Sequence, residues 1–131
     1  MNITISTKKG KLNIDFIHEF LTNSYWAKGR SRKDVLESIE HSLVFGVYKD
    51  DIQIGFARVL TDYTIFGYLM DVFIVEKYQG NGYGKQLIKT IMEHEKLRNI
   101  QKWMLATVDA HKLYKQFGFK EISDPSIFMS K

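Results

Sequence analysis

Apolar residues recur along the chain with two periods, near 3.6 and near 2, and the alternation between them divides it into elements. Ile3 and Ile5 alternate with polar residues and predict a short strand, followed by a turn over Lys8 to Lys11. Phe16, Ile17, Phe20 and Leu21 share one face of a helix predicted over Asp15 to Thr22. An irregular stretch, Asn23 to Arg30, carries Gly29 near its end. Ser31 and Asp34 approximate a capping box and open a helix to about Ser42, with Val35, Leu36 and Ile39 inward. Leu43 to Tyr48 and Ile52 to Leu60 read as strands joined by a tight turn at Lys49, Asp50 and Asp51. After a turn at Asp62 to Thr64, a long strand is predicted over Ile65 to Val75, with Gly67 placed to break or bend it. A polar, glycine-rich loop runs from Glu76 to Gly84. Leu87, Ile88, Ile91 and Met92 then define a helix over Lys85 to Glu95. Beyond the connection Leu97 to Gln101, Trp103 to Thr107 is an apolar strand. Ala110 to Phe117 is a short helix closed by Gly118. Phe119 to Ile122 and Ile127 to Ser130 read as two last strands around the Asp124-Pro125 turn.

This order predicts an α+β (mixed α/β) domain occupying residues 1–131, with helices packed on a central, mostly antiparallel twisted sheet. Six to seven strands and about four helices are expected. Three consecutive strands before the glycine loop argue against a repeating βαβ Rossmann domain.

Composition narrows the class. At 131 residues the chain fits one domain, and 44% hydrophobic content supports a real core. No window reaches the roughly 18 apolar residues of a membrane span. The first residues, MNITISTKKGKLNIDF, lack the apolar core of a signal peptide, so a cytoplasmic protein that avoids the membrane is expected. There is no cysteine, which removes thiolate nucleophiles, disulfides and cysteine metal sites; no metal is expected. The net charge of +4 is scattered. Its densest cluster, Lys28, Arg30, Arg32 and Lys33, reads as a solvated loop rather than a nucleic-acid stripe, so no nucleic-acid partner is expected.

Candidate chemistry begins at the glycine loop. A buried-type strand, Leu69 to Val75, runs into it, and a helix leaves it. The first N–H groups of a helix lack internal partners and sit at the positive end of the macrodipole, which suits phosphate. Gly80, Gly82 and Gly84 permit positive φ and close backbone approach, while Gln79 and Lys85 flank the loop as donors. The spacing fails the dinucleotide pattern G-x-G-x-x-G, because Lys85 or Leu87 falls at the third glycine. It also fails the P-loop pattern, being one residue short and followed by Gln86.

What remains is Q-x-x-G-x-G at Gln79, Gly82 and Gly84, and near the other end stands A-x-x-L-Y-x-x-x-G-F at Ala110, Leu113, Tyr114, Gly118 and Phe119. Together these resemble the two signatures of the GNAT superfamily of N-acetyltransferases, with the element order matching over nearly the whole chain. The resemblance implies acetyl-CoA as cosubstrate. It implies that the pyrophosphate binds the loop formed by Gln79, Gly80, Asn81, Gly82, Tyr83, Gly84 and Lys85. The pantetheine arm would pair with backbone groups of Phe73, Ile74 and Val75, in a gap where this strand splays from Trp103–Thr107. Tyr114 occupies the family's position for the acid that protonates the departing thiolate.

The base is less defined. Asp71 shares a strand face with Phe73 and Val75 by alternation, and an acid on an apolar strand needs a partner or a task. It is a catalytic candidate beside His111 and an ordered water chain. Met70 stands where some polyamine-acetylating relatives carry a glutamate. Gln79 replaces a more usual arginine, and Thr107 replaces an asparagine that in many relatives contacts the pantetheine arm, with Asp109 nearby.

The expected function is direct transfer of an acetyl group from acetyl-CoA to a primary amine of a small molecule or peptide. The alternative is a non-catalytic acyl-CoA-binding module or sensor. The acceptor is expected against Asn23–Arg30 and Asp62–Phe66, where Tyr25 and Trp26 form an aromatic wall or merely cover the core. A monomer and a homodimer both remain compatible.

Overall fold

A computed structural model of the protein describes residues 2–131. Its sheet has five strands in sequence order: β1 (Ile3–Ser6), β2 (Leu43–Lys49), β3 (Ile52–Thr61), β4 (Phe66–Ile74) and β5 (Lys102–Met104). Neighbours from β1 to β4 are antiparallel, and β4 and β5 are parallel. Four α-helices accompany them: α1 (Ile14–Thr22), α2 (Arg32–Glu40), α3 (Tyr83–Met92) and α4 (His111–Lys115).

Local chemistry explains the boundaries. Asn13 caps α1 by accepting from the Phe16 N–H, and Ser31 caps α2 by accepting from the Asp34 N–H. The β2–β3 hairpin turns on Asp50 and Asp51, both at positive φ, as a two-residue turn matched to strand twist requires. Gly67 does not break β4. It is buried, and a Cβ there would lie 3.1 Å from the Trp103 ring and from Ile100, so the glycine lets β5 approach closely.

Two cores cover the sheet's faces. On one, α1 and α2 bring Ile17, Leu21, Val35 and Ile39 onto Val44, Phe56 and Phe73. On the other, α3 brings Leu87, Ile88 and Ile91 onto Phe45, Val47, Ala57, Val59 and Leu69, with Tyr114 from α4 joining them. Each such large side chain contributes about 1.5–3 kcal/mol by leaving water.

Strict alternation fails once along β4. Leu69 and Ile74 both face α3 although they are five positions apart, an odd spacing. Asp71, at φ 56, supplies the extra residue of a bulge, and the register against β3 shifts between Phe56 and Arg58. Because of the bulge, Leu69 and Ile74 keep the α3 face while Asp71 and Phe73 turn to the α1–α2 face.

The sheet falls short of the six to seven strands expected. Neither Phe119–Ile122 nor Ile127–Ser130 forms a strand: the first is irregular, and Pro125–Ile127 forms a 3-10 turn. The segment 120–131 is exposed throughout and pairs with no edge. The β5 strand is also shorter than Trp103–Thr107, ending at Met104.

Candidate functional site

The pairing of β4 with β5 covers only Phe66 to Tyr68 against Lys102 to Met104. Beyond Tyr68 the strands part, so β4 from Leu69 onward has β3 on one side and an open edge on the other. The gap is the mouth of a cleft of about 860 Å³. Its floor is β4, its far wall Leu105–Ala110 with Tyr114, one end the glycine loop, and the other end Tyr25, Trp26 and Arg30. No residue of Asp62–Phe66 lines it, contrary to expectation; the segment is held apart by its own turn, in which Asp62 Oδ1 accepts from the N–H groups of Thr64, Ile65 and Phe66.

The open edge has definite groups. The Val75 N–H donates to Ile54 O at 2.9 Å and so faces β3. By alternation Ile74 turns its backbone groups to the gap, where its carbonyl accepts from Gln79 Nε2 at 2.8 Å. Of the three backbone positions expected to meet a cofactor arm, Ile74 therefore faces the gap and Val75 does not. The Phe73 ring lies in the opposite core, stacked on Phe20 with centroids 3.8 Å apart.

At the loop, α3 starts without a side-chain cap. Its N-cap is Gly82 at φ 81, which has no side chain to donate an acceptor. The first intrahelical bond runs from Gln86 N to Gly82 O, so Tyr83, Gly84 and Lys85 carry amide N–H groups with no helical partner. Nothing lies within 4 Å of a Cβ built on Gly80 or Gly82, and only Ile74 comes within reach at Gly84, at 4.0 Å. The backbone is bare where an anion would sit.

The loop's side chains serve the loop. Besides the Gln79 bond to Ile74 O, Asn81 Nδ2 donates to Tyr78 O and Gln79 O. The Tyr83 side chain is buried and its hydroxyl receives Lys49 Nζ at 3.5 Å. Lys85 is exposed and lies off the cleft lining. The amides of the loop, rather than these side chains, are what it presents.

Tyr114 stands across the gap, on α4. It is 7% exposed, lines the cleft, and its hydroxyl makes no hydrogen bond among the described residues. Burial, assisted by the charge of Asp109, pushes its pKa up to about 12. The phenol therefore keeps its proton at any ordinary pH. Thr107 is turned to α4, its hydroxyl accepting from the Ala110 N–H.

Asp71 has partners that the sequence reading did not name. Its carboxylate is fully buried. Oδ2 accepts from Arg58 Nε at 2.6 Å and Arg30 Nη1 at 2.7 Å, while Oδ1 accepts from Trp26 Nε1 at 3.1 Å. Arg58 Nη1 continues to Ser42 Oγ. Arg30 is thus no solvated loop charge, and Trp26 is fixed as cleft wall. A signal for Arg58 was present, since it is the single charge in the apolar run IGFARVL on the strand beside Asp71.

Comparison with known proteins shows the family. The model of the acetyltransferase (GNAT) domain matches residues 40–121. The chain belongs to the GNAT acetyltransferase family. It is 39% identical to a Xanthomonas campestris protein of known structure, provisionally assigned as a GNAT acetyltransferase, covering 100% of this chain and 93% of that one with a TM-score of 0.96. A protein of Gibberella zeae, provisionally named an acetyltransferase, is 27% identical over 89% of this chain and 78% of its own length. A predicted acetyltransferase of Clostridium acetobutylicum, solved with acetyl-CoA, shares the fold at 15% identity and a TM-score of 0.71, covering 93% of this chain and 92% of that one. Among the described residues no helix is long and apolar enough to cross a membrane, and no group of three potential metal-ligating side chains converges.

Proposed function

We propose that this GNAT protein transfers the acetyl group of acetyl-CoA directly to a primary amine of a small molecule or peptide. The observation that carries the reading is the opening between β4 and β5, with uncapped amides at one end and an unpartnered phenol on its wall. The Clostridium acetobutylicum relative solved with acetyl-CoA supports the choice of donor.

In this reading the N–H groups of Tyr83, Gly84 and Lys85 hold the pyrophosphate, aided by the α3 dipole. The open edge of β4 at Ile74 takes the pantetheine arm as a sheet takes an added strand. The amine nitrogen attacks the thioester carbonyl carbon, the C–S bond breaks, and sulfur leaves as thiolate. The Tyr114 hydroxyl donates to that sulfur. A phenol at about 12 is a far weaker acid than a thiol, so its contribution is a hydrogen bond to developing charge more than complete proton transfer. Asp71, with both oxygens taken, positions Trp26 and Arg30, and the amine's proton leaves through water.

Measuring CoA release and acetyl-CoA binding on Tyr114→Phe tests this. The variant is expected to lose about 100-fold in kcat with binding retained. Turnover equal to wild type would remove Tyr114 from the mechanism, and binding without turnover in the wild type on any amine would favour a non-catalytic acyl-CoA module.

A further inference from the structure

The end of the cleft away from the glycine loop carries a charge imbalance that points to the acceptor. The charged side chains lining the cleft are Arg30, Asp71 and Asp109. Asp71 is fully buried and shared between two guanidiniums, those of Arg30 and Arg58, on the same oxygen. One carboxylate against two permanent cations leaves this cluster at a net charge of +1. Arg58 is turned inward, with 9% of its side chain exposed and a second bond to Ser42. Arg30 is the member that reaches the cleft, with 20% of its side chain exposed. A guanidinium has five N–H donors. Arg30 spends one side-chain donor, Nη1, on Asp71, and makes no other side-chain hydrogen bond among the described residues.

We infer that Arg30 binds an oxyanion, a carboxylate or a phosphate, carried by the amine acceptor. The inference rests on the acetyl-transfer reading of the same cleft. Three features favour it. Asp71 holds the guanidinium in place before any ligand arrives, so little ordering is lost on binding. The planar fork of donors matches carboxylate and phosphate oxygens. Partial burial keeps the charge from being screened as a surface arginine's is. The same charge acts on the amine: a nearby cation disfavours the ammonium form and helps deliver the neutral nucleophile that attack requires. A dicationic acceptor such as a diamine would find no free carboxylate at the Arg30 end, because Asp71 is already neutralised twice over; the other carboxylate of the lining, Asp109, acts at the Tyr114 wall.

The test uses matched primary amines with the purified full chain: γ-aminobutyrate and phosphoethanolamine as the anionic pair, propylamine as the uncharged-tail twin, and putrescine as the dication. Calorimetry with acetyl-CoA alone comes first; failure to bind would defeat the acetyl-transfer reading itself. Given binding, each amine is assayed for CoA release and titrated into the CoA complex. At least one anionic amine is expected to exceed propylamine by about 10- to 100-fold in kcat/KM or in affinity, the range of a charge-assisted hydrogen-bonded pair. Which of the two does so tells carboxylate from phosphate. In Arg30→Gln that preference ratio is expected to collapse toward one, chiefly through KM. Putrescine binding more tightly than both anionic amines, or neither anionic amine exceeding propylamine in turnover or affinity, would overturn the inference in the wild-type protein alone, whatever the variant's stability. A ratio unchanged in a folded Arg30→Gln would overturn it as well.

Discussion

Asp71 adopts a left-handed backbone at φ 56 in the middle of a strand, a conformation that aspartate tolerates better than most residues. Its three hydrogen bonds to Trp26, Arg30 and Arg58 offset that strain and fix the bulge. Asp71→Asn would leave two guanidiniums without their shared anion, one of them buried. Urea unfolding is expected to show a loss of about 3–5 kcal/mol, and an unchanged midpoint would mean the cluster is not what holds the bulge. Tyr114 makes a second prediction at this scale. Its folded pKa lies near 12, above the ordinary value of 10, because burial disfavours the phenolate. Its contribution to stability is therefore complete below pH 10 and lost as pH rises toward 12. That loss amounts to roughly 2–3 kcal/mol, and Tyr114→Phe should remove it from the alkaline unfolding profile; identical profiles would contradict the assignment. The sequence pointed to Asp71 as an acid in need of a partner. Its partners stayed hidden because one sits on the neighbouring strand and two on an irregular loop, and no local period links those positions.

Among elements, the β4–loop–α3 unit was the most legible, since an apolar run, three glycines and a helical period follow one another without interruption. Its working part is the bare start of α3. Gly82→Ala forces a side chain into φ 81, at about 1–2 kcal/mol, and sets a methyl where an anion would approach. Calorimetry is expected to show acetyl-CoA affinity falling at least ~10-fold, whereas Gly84→Ala, whose Cβ meets only Ile74 at 4.0 Å, should keep the fold. Equal affinities for Gly82→Ala and wild type would place the pyrophosphate elsewhere. The last strands were misjudged for a physical reason. Apolar residues in Phe119–Ile122 and Ile127–Ser130, on either side of the Asp124-Pro125 turn, suggest segments able to pair, but pairing also needs an adjacent edge, and β5 is three residues long. The same shortness, which the apolar run Trp103–Thr107 concealed, is what opens the cleft.

In the whole molecule, the two cores grip the sheet from opposite faces and leave one edge of β4 unpaired between them. One core holds Phe73 and, through α1 and α2, frames the loop of Trp26 and Arg30; the other seats α3 and Tyr114. The cleft therefore lies where elements from both layers meet, which is why an order of strands and helices could locate the loop but not the charges facing it. The account stands or falls on what that cleft takes up. The deciding measurement is a calorimetric titration of the purified protein with acetyl-CoA. Saturable binding at one site per chain, weakened in Gly82→Ala, is the predicted result. No binding up to millimolar acetyl-CoA, a free energy of about −4 kcal/mol or weaker, would contradict the reading of the loop and of the cleft built around it.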